Sequence, residues 1–183
     1  MKEKKDPSGD MLPTDKNIRH LISALADPSI DIRRKAVSTL GEIGTPAIEP
    51  LIGALASAQG ADHRWYIAIT LSKIKKPAIM PLVAAMAENT DREFRRYAAA
   101  ALGEMGDPAV EPLIVAMATD DRELRGFLSL ALCRIGKPAV DPLTRRLSDE
   151  NEIIRSCSAL TLWQMGETGL YPMVEKIQEE MDT

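Results

Sequence analysis

The sequence contains few of the residues from which reactive sites are usually built. Its 183 residues include two cysteines, two histidines and only 4% aromatic residues. The cysteines, Cys133 and Cys157, form no C-x-x-C pair and are too few for a disulfide framework,. We therefore expect both to be reduced packing residues in a reducing compartment.

Long hydrophobic runs are also absent. No apolar segment approaches the about 20 residues that a membrane helix needs, and the first residues, MKEKKDPSGD, hold no hydrophobic signal segment,. We therefore expect a cytoplasmic protein without a membrane partner.

The chain has no excess of basic residues. It carries 23 basic and 27 acidic side chains, for a net charge of -4. This balance gives no overall attraction for a polyanion, so it disfavours a nucleic-acid partner and leaves open only a local basic patch.

Catalytic and metal-ligand patterns are missing as well. His20 and His63 fall in different predicted helices, whereas a metal site needs a cluster of histidine, cysteine or carboxylate ligands. The spacing suggests no nucleophile with its base and no glycine-rich phosphate loop. The sequence therefore predicts no catalytic residue, no metal and no cofactor, and it leaves both histidines as surface or turn residues.

The sequence does contain a repeat, with a period of 30 or 31 residues. A proline marks the copies, at Pro50, Pro81, Pro112, Pro142 and Pro172. An arginine recurs in register, at Arg33, Arg64, Arg95, Arg125 and Arg155. A leucine follows seven residues later, at Leu40, Leu71, Leu102, Leu132 and Leu162. Each copy then closes at Gly44, Lys75, Gly106, Gly136 or Gly166. Self-similarity at such a period is typical of a repeat array.

Each copy is predicted to form a hairpin of two helices, here called helix A and helix B. Helix A begins at the prolines, in segments such as PAVEPLIVAM, because the first turn of a helix tolerates proline. Helix B of the fourth copy has one apolar face, formed by Leu124, Leu128, Leu132 and Ile135,. The closing glycine ends helix B. Neither helix is long enough to be stable alone, so neighbouring copies must bury each other's apolar faces.

We therefore predict an all-α fold, a right-handed α-solenoid of about five two-helix repeats with a C-terminal capping helix. The repeats are expected at 17–44, 45–75, 76–106, 107–136 and 137–166, and the capping helix at 167–181. Residues 17–181 are expected to form a single domain. Residues 1–16, which are charged and contain proline and glycine, are expected to form a disordered tail,.

Two further columns of the repeat have structural interpretations. Small residues occur eight positions after the arginine, at Gly41, Ser72, Gly103 and Cys133, which would let neighbouring B helices approach closely,. Trp163 breaks this column in the last copy, where we expect it to cover the end of the stack. Acidic residues precede the arginines, at Asp31, Asp62, Glu93, Glu123 and Glu152, and predict an ion-pair ladder between repeats.

The phrase DPAVEPLI at 107–114, together with the pattern RxxAxxxLGxIG at 33–44, resembles the short HEAT-like repeats named after phycobilisome lyases. The resemblance covers residues 17–181 and implies the HEAT fold. Members of that group resemble scaffolds, bilin-attachment factors and metal-dependent hydroxylases, and more distant members resemble DNA glycosylases. The hydroxylases use repeated His-Glu pairs, which are absent here because Leu21 and Arg64 follow the two histidines.

The variable positions of helix B are the candidates for binding. Two residues after the arginine, aromatic residues occupy three successive copies, at Tyr66, Tyr97 and Phe127. Aromatic residues and arginine are enriched in interface hot spots. The predicted partner-binding set is Trp65, Tyr66, Tyr97, Phe127, Arg96, Leu130 and Arg134. The alternative is that these side chains only pack neighbouring B helices together.

The leading functional hypothesis is a non-enzymatic scaffold that binds a protein or peptide along the groove lined by the B helices. The alternative is a protein that attaches or chaperones a bilin or other tetrapyrrole, since an aromatic groove could hold a flat ring. A third hypothesis is DNA binding through Arg34, Arg96 and Trp65, which the acidic composition disfavours. The sequence leaves the identity of the partner and the oligomeric state open.

Overall fold

The computed structural model describes residues 15–181, and all regular secondary structure in that range is helical. The first four α-helices are α1 (Asp15–Ala24), α2 (Ile30–Ile43), α3 (Ile48–Ser57) and α4 (Ala61–Ile74). The next four are α5 (Lys76–Glu88), α6 (Arg92–Met105), α7 (Val110–Ala116) and α8 (Arg122–Ile135). The last three are α9 (Lys137–Arg145), α10 (Glu152–Gln164) and α11 (Glu167–Met181). Short 3-10 turns occur at Thr45–Ala47, Asp107–Ala109 and Arg146–Ser148.

The predicted helical-hairpin solenoid is confirmed, with odd-numbered helices as helix A and even-numbered helices as helix B. The right-handed superhelix and the single domain over 17–181 stay predictions. By contacts the described residues divide into two compact units, a first unit that ends at Ile74 and a second unit that begins at Lys75. Most of the predicted tail lies outside the described residues, but Asp15 and Lys16 begin α1.

The core of each unit is built from the same repeat positions. In the first unit, Leu40 of α2 and Leu71 of α4 are fully buried, and in the second, Leu102, Leu132 and Leu162 are fully buried on successive B helices. Helix A contributes apolar residues such as Leu51 in the first unit and Leu82 in the second, both also fully buried. Burial of a leucine side chain is worth about 2 kcal/mol. The leucine column therefore supplies a steady contribution to stability in every repeat.

Every B helix is followed, within two residues of its end, by a residue with a positive φ. The four glycines of this column have φ values between 65° and 74°, and Lys75 takes φ 64° at the same position. Glycine adopts this geometry without steric cost, whereas a side chain at Cβ opposes it. Lys75 is therefore a strained copy of the repeat's glycine terminator.

The small-residue column does bring helices close together, as predicted. In the first unit, a Cβ built on Gly41 of α2 would lie 3.4 Å from Cβ of Lys73 on α4. In the second, a Cβ on Gly103 of α6 would lie 2.9 Å from Cβ of Arg134 on α8, too close for a side chain. Glycine is therefore required at 103 for α6 and α8 to pack at this distance.

The end of the second unit differs from the expectation for Trp163. This side chain is 62% exposed on α10. Helix α11 packs against α9 and α10 instead, and a Cβ on Gly169 of α11 would overlap the carbonyl of Leu162. Because α11 occupies the position next to α10, the indole of Trp163 is left on the outside.

The repeat arginines have a common role that differs from the predicted ion-pair ladder. Each donates to the backbone carbonyl six residues earlier, in the turn between helices A and B. These pairs are Arg33 with Asp27, Arg64 with Ala58, Arg95 with Asn89, Arg125 with Thr119 and Arg155 with Asp149. The arginine thus holds its own hairpin closed by a charge-assisted hydrogen bond. The predicted ladder is wrong at three positions, because Arg33, Arg125 and Arg155 form no ion pair within the described residues.

Arg95 in the second unit combines this hydrogen bond with an ion pair to the following repeat. It is 1% exposed, and its Nη2 lies 2.7 Å from Oδ2 of Asp121, the residue that caps α8. Oδ1 of Asp121 accepts a hydrogen bond from the amide of Leu124 at 2.9 Å. The pKa of Asp121 is lowered below the ordinary aspartate value. The hydrogen bond from Arg95 is the largest cause, and the hydrogen bond from the Leu124 amide is the second. The carboxylate therefore stabilises the folded state in its charged form.

This lowered pKa predicts acid sensitivity of the fold. The stabilisation by Asp121 is complete above the ordinary aspartate pKa and is lost as the pH falls through the lowered folded-state pKa. We expect Asp121→Asn to reduce the free energy of unfolding at pH 7, measured by urea unfolding. The free energy of unfolding should also differ less between pH 7 and pH 3 in this variant than in the unchanged chain. The control is Asp120→Asn, at an exposed residue outside the Arg95–Asp121 ion pair. It should leave the difference in free energy of unfolding between pH 7 and pH 3 unchanged.

The strained terminator gives a second test. Lys75→Gly should raise the free energy of unfolding by about 1 kcal/mol, because it removes the steric cost of the left-handed backbone. Gly106→Lys, the reverse change at an equivalent position with open space around its Cβ, should lower it by a similar amount. Chemical denaturation of the two variants measures both effects. Equal stability of Lys75→Gly and the unchanged chain would show that the backbone relaxes there without cost.

Candidate protein-binding surface

The predicted partner-binding residues belong to two different units. Trp65 and Tyr66 lie on α4 of the first unit, and the other predicted residues lie on α6 and α8 of the second. Trp65 is 42% exposed, whereas Tyr66 is half-buried. The guanidinium carbon of Arg33 lies 4.8 Å from the centroid of the Tyr66 ring. Tyr66 therefore takes part in packing α2 against α4 through a cation–π contact.

Tyr97 lies in the interior of the second unit, with 8% of its surface exposed. The guanidinium carbon of Arg96 lies 4.8 Å from the ring centroid, and its Nη2 donates to the Tyr97 hydroxyl at 3.2 Å. The same nitrogen donates to Glu93 at 2.7 Å. Of this pair, the structure leaves Arg96 at the surface and places Tyr97 among packed residues.

Arg134 also combines a surface charge with a packing role. Its Nε and Nη2 donate to Oε1 of Glu104 at 2.9 and 2.6 Å, linking α8 to α6. Its aliphatic stem covers Gly103. Ion pairs this exposed contribute little to stability, so the contact positions the two helices more than it stabilises them.

Phe127 and Leu130 line an open cavity on the B helices of the second unit. This cavity, of about 480 Å³, is lined by Arg92, Glu123, Gly126, Phe127, Leu130 and Gln164. A second cavity of about 250 Å³ is lined by Arg122, Arg125, Gly126, Ser129, Cys157, Leu160 and Gln164. The two share Gly126 and Gln164, so they form one depression across α6, α8 and α10. We call this depression the α8 groove.

The α8 groove has an apolar centre and a charged rim. Leu130 is 53% exposed and Leu160 is 52% exposed, and both sit five residues after a repeat arginine. On the rim, Nε of Arg92 lies 2.7 Å from Oε1 of Glu123. Leu160 is absent from the predicted binding set, although it occupies the same position in its repeat as Leu130. Comparison of the two copies would have identified it.

A polar cluster holds the floor of the groove. The Ser129 hydroxyl lies 2.8 Å from the Thr161 hydroxyl and 2.8 Å from Oε1 of Gln164, which joins α8 to α10. Burial raises the pKa of the Cys157 thiol beside this cluster, and likewise that of Cys133. Both thiols are therefore protonated at neutral pH and have little nucleophilic character.

Within residues 15–181, no group of three or more histidine, cysteine or carboxylate side chains is arranged to hold a metal ion. His63 lies in the first turn of α4 and His20 is exposed on α1, in line with the interpretation as turn and surface residues. Among the helices described, none is long and apolar enough to cross a membrane.

Comparison with known proteins identifies the repeat. A family model described as HEAT repeats matches residues 18–89, 48–127 and 79–162, which together span most of the chain. No curated protein sequence matches this chain significantly.

Several solved structures are similar in fold. The complex of CpcE and CpcF of phycocyanin lyase from Nostoc sp. PCC7120 is 18% identical, with a TM-score of 0.41 and coverage of 93% of this chain and 91% of that chain. A designed armadillo repeat protein in complex with the peptide (KR)4 is 17% identical, with a TM-score of 0.34 and coverage of 88% and 91%. An engineered protein is 18% identical, with a TM-score of 0.36 and coverage of 90% and 86%. At these values the similarity carries no information about function.

The different burial of the predicted residues can be tested by truncation. Tyr97→Ala should lower the free energy of unfolding by about 3 kcal/mol, because it removes a buried aromatic ring. Leu130→Ala, at an exposed position, should change it by no more than about 0.5 kcal/mol. Urea unfolding of the two variants compares them directly. Similar losses for both would mean that Leu130 is a packing residue and not part of an open surface.

Proposed function

This chain belongs to the HEAT repeat family, and we propose that it is a non-enzymatic scaffold whose second unit binds a protein or peptide along the α8 groove. Proteins built from such repeats commonly present one helix of each pair as a binding surface. The observation that carries the proposal is a pair of exposed leucines on neighbouring B helices, Leu130 beside Phe127 on α8 and Leu160 on α10.

The apolar centre favours a partner with apolar side chains. A single exposed leucine on a protein surface is ordinary, whereas several in one depression are typical of an interaction site. Leu130 and Leu160 lie in cavities that share two lining residues, so one partner segment could contact both. Trp163 lies a further turn beyond Leu160 on the same helix and adds a large exposed aromatic surface.

The rim of the groove favours selectivity. Arg92 and Glu123 form an exposed ion pair on one side, and Arg122 and Arg125 line the other side. An apolar centre with a charged rim is the usual composition of a protein interface, in which the rim sets orientation and excludes wrong partners.

The groove lies on helices whose relative positions are held by specific contacts. The Ser129 cluster joins α8 to α10, and Arg134 joins α8 to α6. A surface fixed in this way loses little conformational entropy when it binds, which improves affinity. The groove is therefore suited to a partner that docks onto a preformed surface.

Gly126 provides the sharpest experiment. It lines both cavities and has no atom within 4 Å of a built Cβ, so a side chain there would enter the groove without disturbing the helix. Affinity capture from the native cell with the unchanged chain and with Gly126→Glu should yield a partner whose recovery falls at least about tenfold with the variant, equivalent to about 1.4 kcal/mol of binding free energy.

Gly53→Glu is the matched control. Gly53 is an exposed glycine on α3 of the first unit, and a Cβ there also meets no atom within 4 Å. The same charge is thus added to a helix outside the groove, and the partner should be retained. If every captured protein binds both variants equally, the α8 groove is not the binding surface. Binding of a bilin that is abolished by Gly126→Glu, without any protein partner, would instead support the tetrapyrrole alternative.

A further inference from the structure

The second unit shows how a repeat arginine can bind a carboxylate. Nη2 of Arg95 lies 2.7 Å from the carboxylate of Asp121, which also accepts the amide of Leu124 at the start of α8. Asp121 lies four residues before the repeat arginine of its own copy, at the N-cap of helix B. The carboxylate thus joins the arginine of one repeat to the N-terminus of helix B in the next repeat.

The first unit lacks this carboxylate. Its residue at the equivalent position is Gly60, which precedes α4 and has no side chain. In the third, fourth and fifth copies, the side chain at this position accepts a backbone N–H. These residues are Asp91, Asp121 and Asn151. The start of α4 therefore has neither the side-chain cap nor the acceptor that Asp121 provides in the second unit.

A cavity of about 390 Å³ lies where the missing carboxylate would be. It is lined by residues of the α1–α2 turn and of the first turn of α4, among them Arg33, Gly60, Ala61 and His63. Nε of Arg33 and Nε2 of His63 are buried, and neither has a hydrogen-bond partner. Nη1 of Arg33 is engaged with the carbonyls of Asp27 and Pro28. Buried nitrogens without partners are costly, and a bound acceptor would satisfy the Nε–H of Arg33 and, in the tautomer that carries a proton on Nε2, that of His63.

We propose that this cavity is a carboxylate-binding site, formed by Arg33, His63 and the first amides of α4, in which a ligand carboxylate takes the place that Asp121 takes in the second unit. The guanidinium group supplies charge and hydrogen bonds, and the N-terminus of α4 adds amide donors and a favourable dipole. This site is separate from the α8 groove. The proposal of a carboxylate site therefore does not depend on the proposed function.

The carboxylates already in the cavity set its selectivity. Asp27 and Asp62 also line it, and Oδ1 of Asp27 accepts the amide of Ser29 at 2.8 Å. Neither forms an ion pair with Arg33 within the described residues. Because their negative charges repel further anionic charge, the site favours a ligand with a single carboxylate over a multiply charged anion such as phosphate.

The experiment is an NMR titration of the full, ¹⁵N-labelled chain with N-acetyl-aspartate methylamide and, separately, with its neutral analogue N-acetyl-asparagine methylamide. We expect saturable shifts of the Ala61, Asp62 and His63 amides and of the Arg33 Nε–H, with a Kd in the millimolar range. The neutral analogue should bind at least about tenfold more weakly. A parallel titration with sodium acetate distinguishes the source of the carboxylate, since equal affinity for acetate indicates a free anion and weaker affinity indicates an acidic side chain.

Two variants locate the site. Arg33→Gln should abolish the saturable shifts, while Arg125→Gln, which removes an arginine with the same carbonyl contact in the second unit, should retain them. Since Arg33→Gln also loosens a turn and the contact with Tyr66, His63→Leu serves as the second variant and should weaken binding severalfold. The proposal is overturned if the amides of α4 respond equally to both aspartate and asparagine analogues, or equally to sodium chloride, or if neither variant changes the response.

Discussion

The hydrogen bond from each repeat arginine to the carbonyl six residues earlier is the constraint on which the hairpins depend. It closes the turn between helix A and helix B, so that the leucine seven residues later enters the core in every copy. The guanidinium group has further donors, and their use differs between repeats. In Arg95 they bind the N-cap of the next helix B, and in Arg33 one of them remains buried without a partner.

Positions with the same residue in every copy and positions with different residues serve different purposes in this chain. The buried leucines and the left-handed terminators stabilise each repeat, and they are equally suited to any partner. Departures from the repeat are where the surface changes. Gly126 opens the α8 groove, and Gly60 removes a cap that other copies possess. Specific recognition in a repeat protein depends on such departures, because identical repeats present identical surfaces.

The fold could be predicted from the sequence because its signals repeat in phase, as the leucine and glycine columns show. The burial of individual side chains could not be predicted in this way. Tyr97 and Phe127 share one repeat position, but Arg96 covers Tyr97 while Gly126 leaves Phe127 beside a cavity. The hydrogen-bond partners of the repeat arginines could not be predicted either. They are backbone carbonyls, which every residue type has, so no sequence pattern identifies them. Leu160 could have been found, because its register matches that of Leu130.

Gly126 has a further consequence for how this protein could change. A glycine inside a helix costs about 0.5–1 kcal/mol relative to alanine, and neither a turn nor a close helix contact requires one at this position. A screen for thermal stability would therefore replace this residue among the first. The resulting protein would be more stable but would have a shallower groove. Selection for stability would therefore favour alanine at position 126, whereas selection for binding would keep glycine.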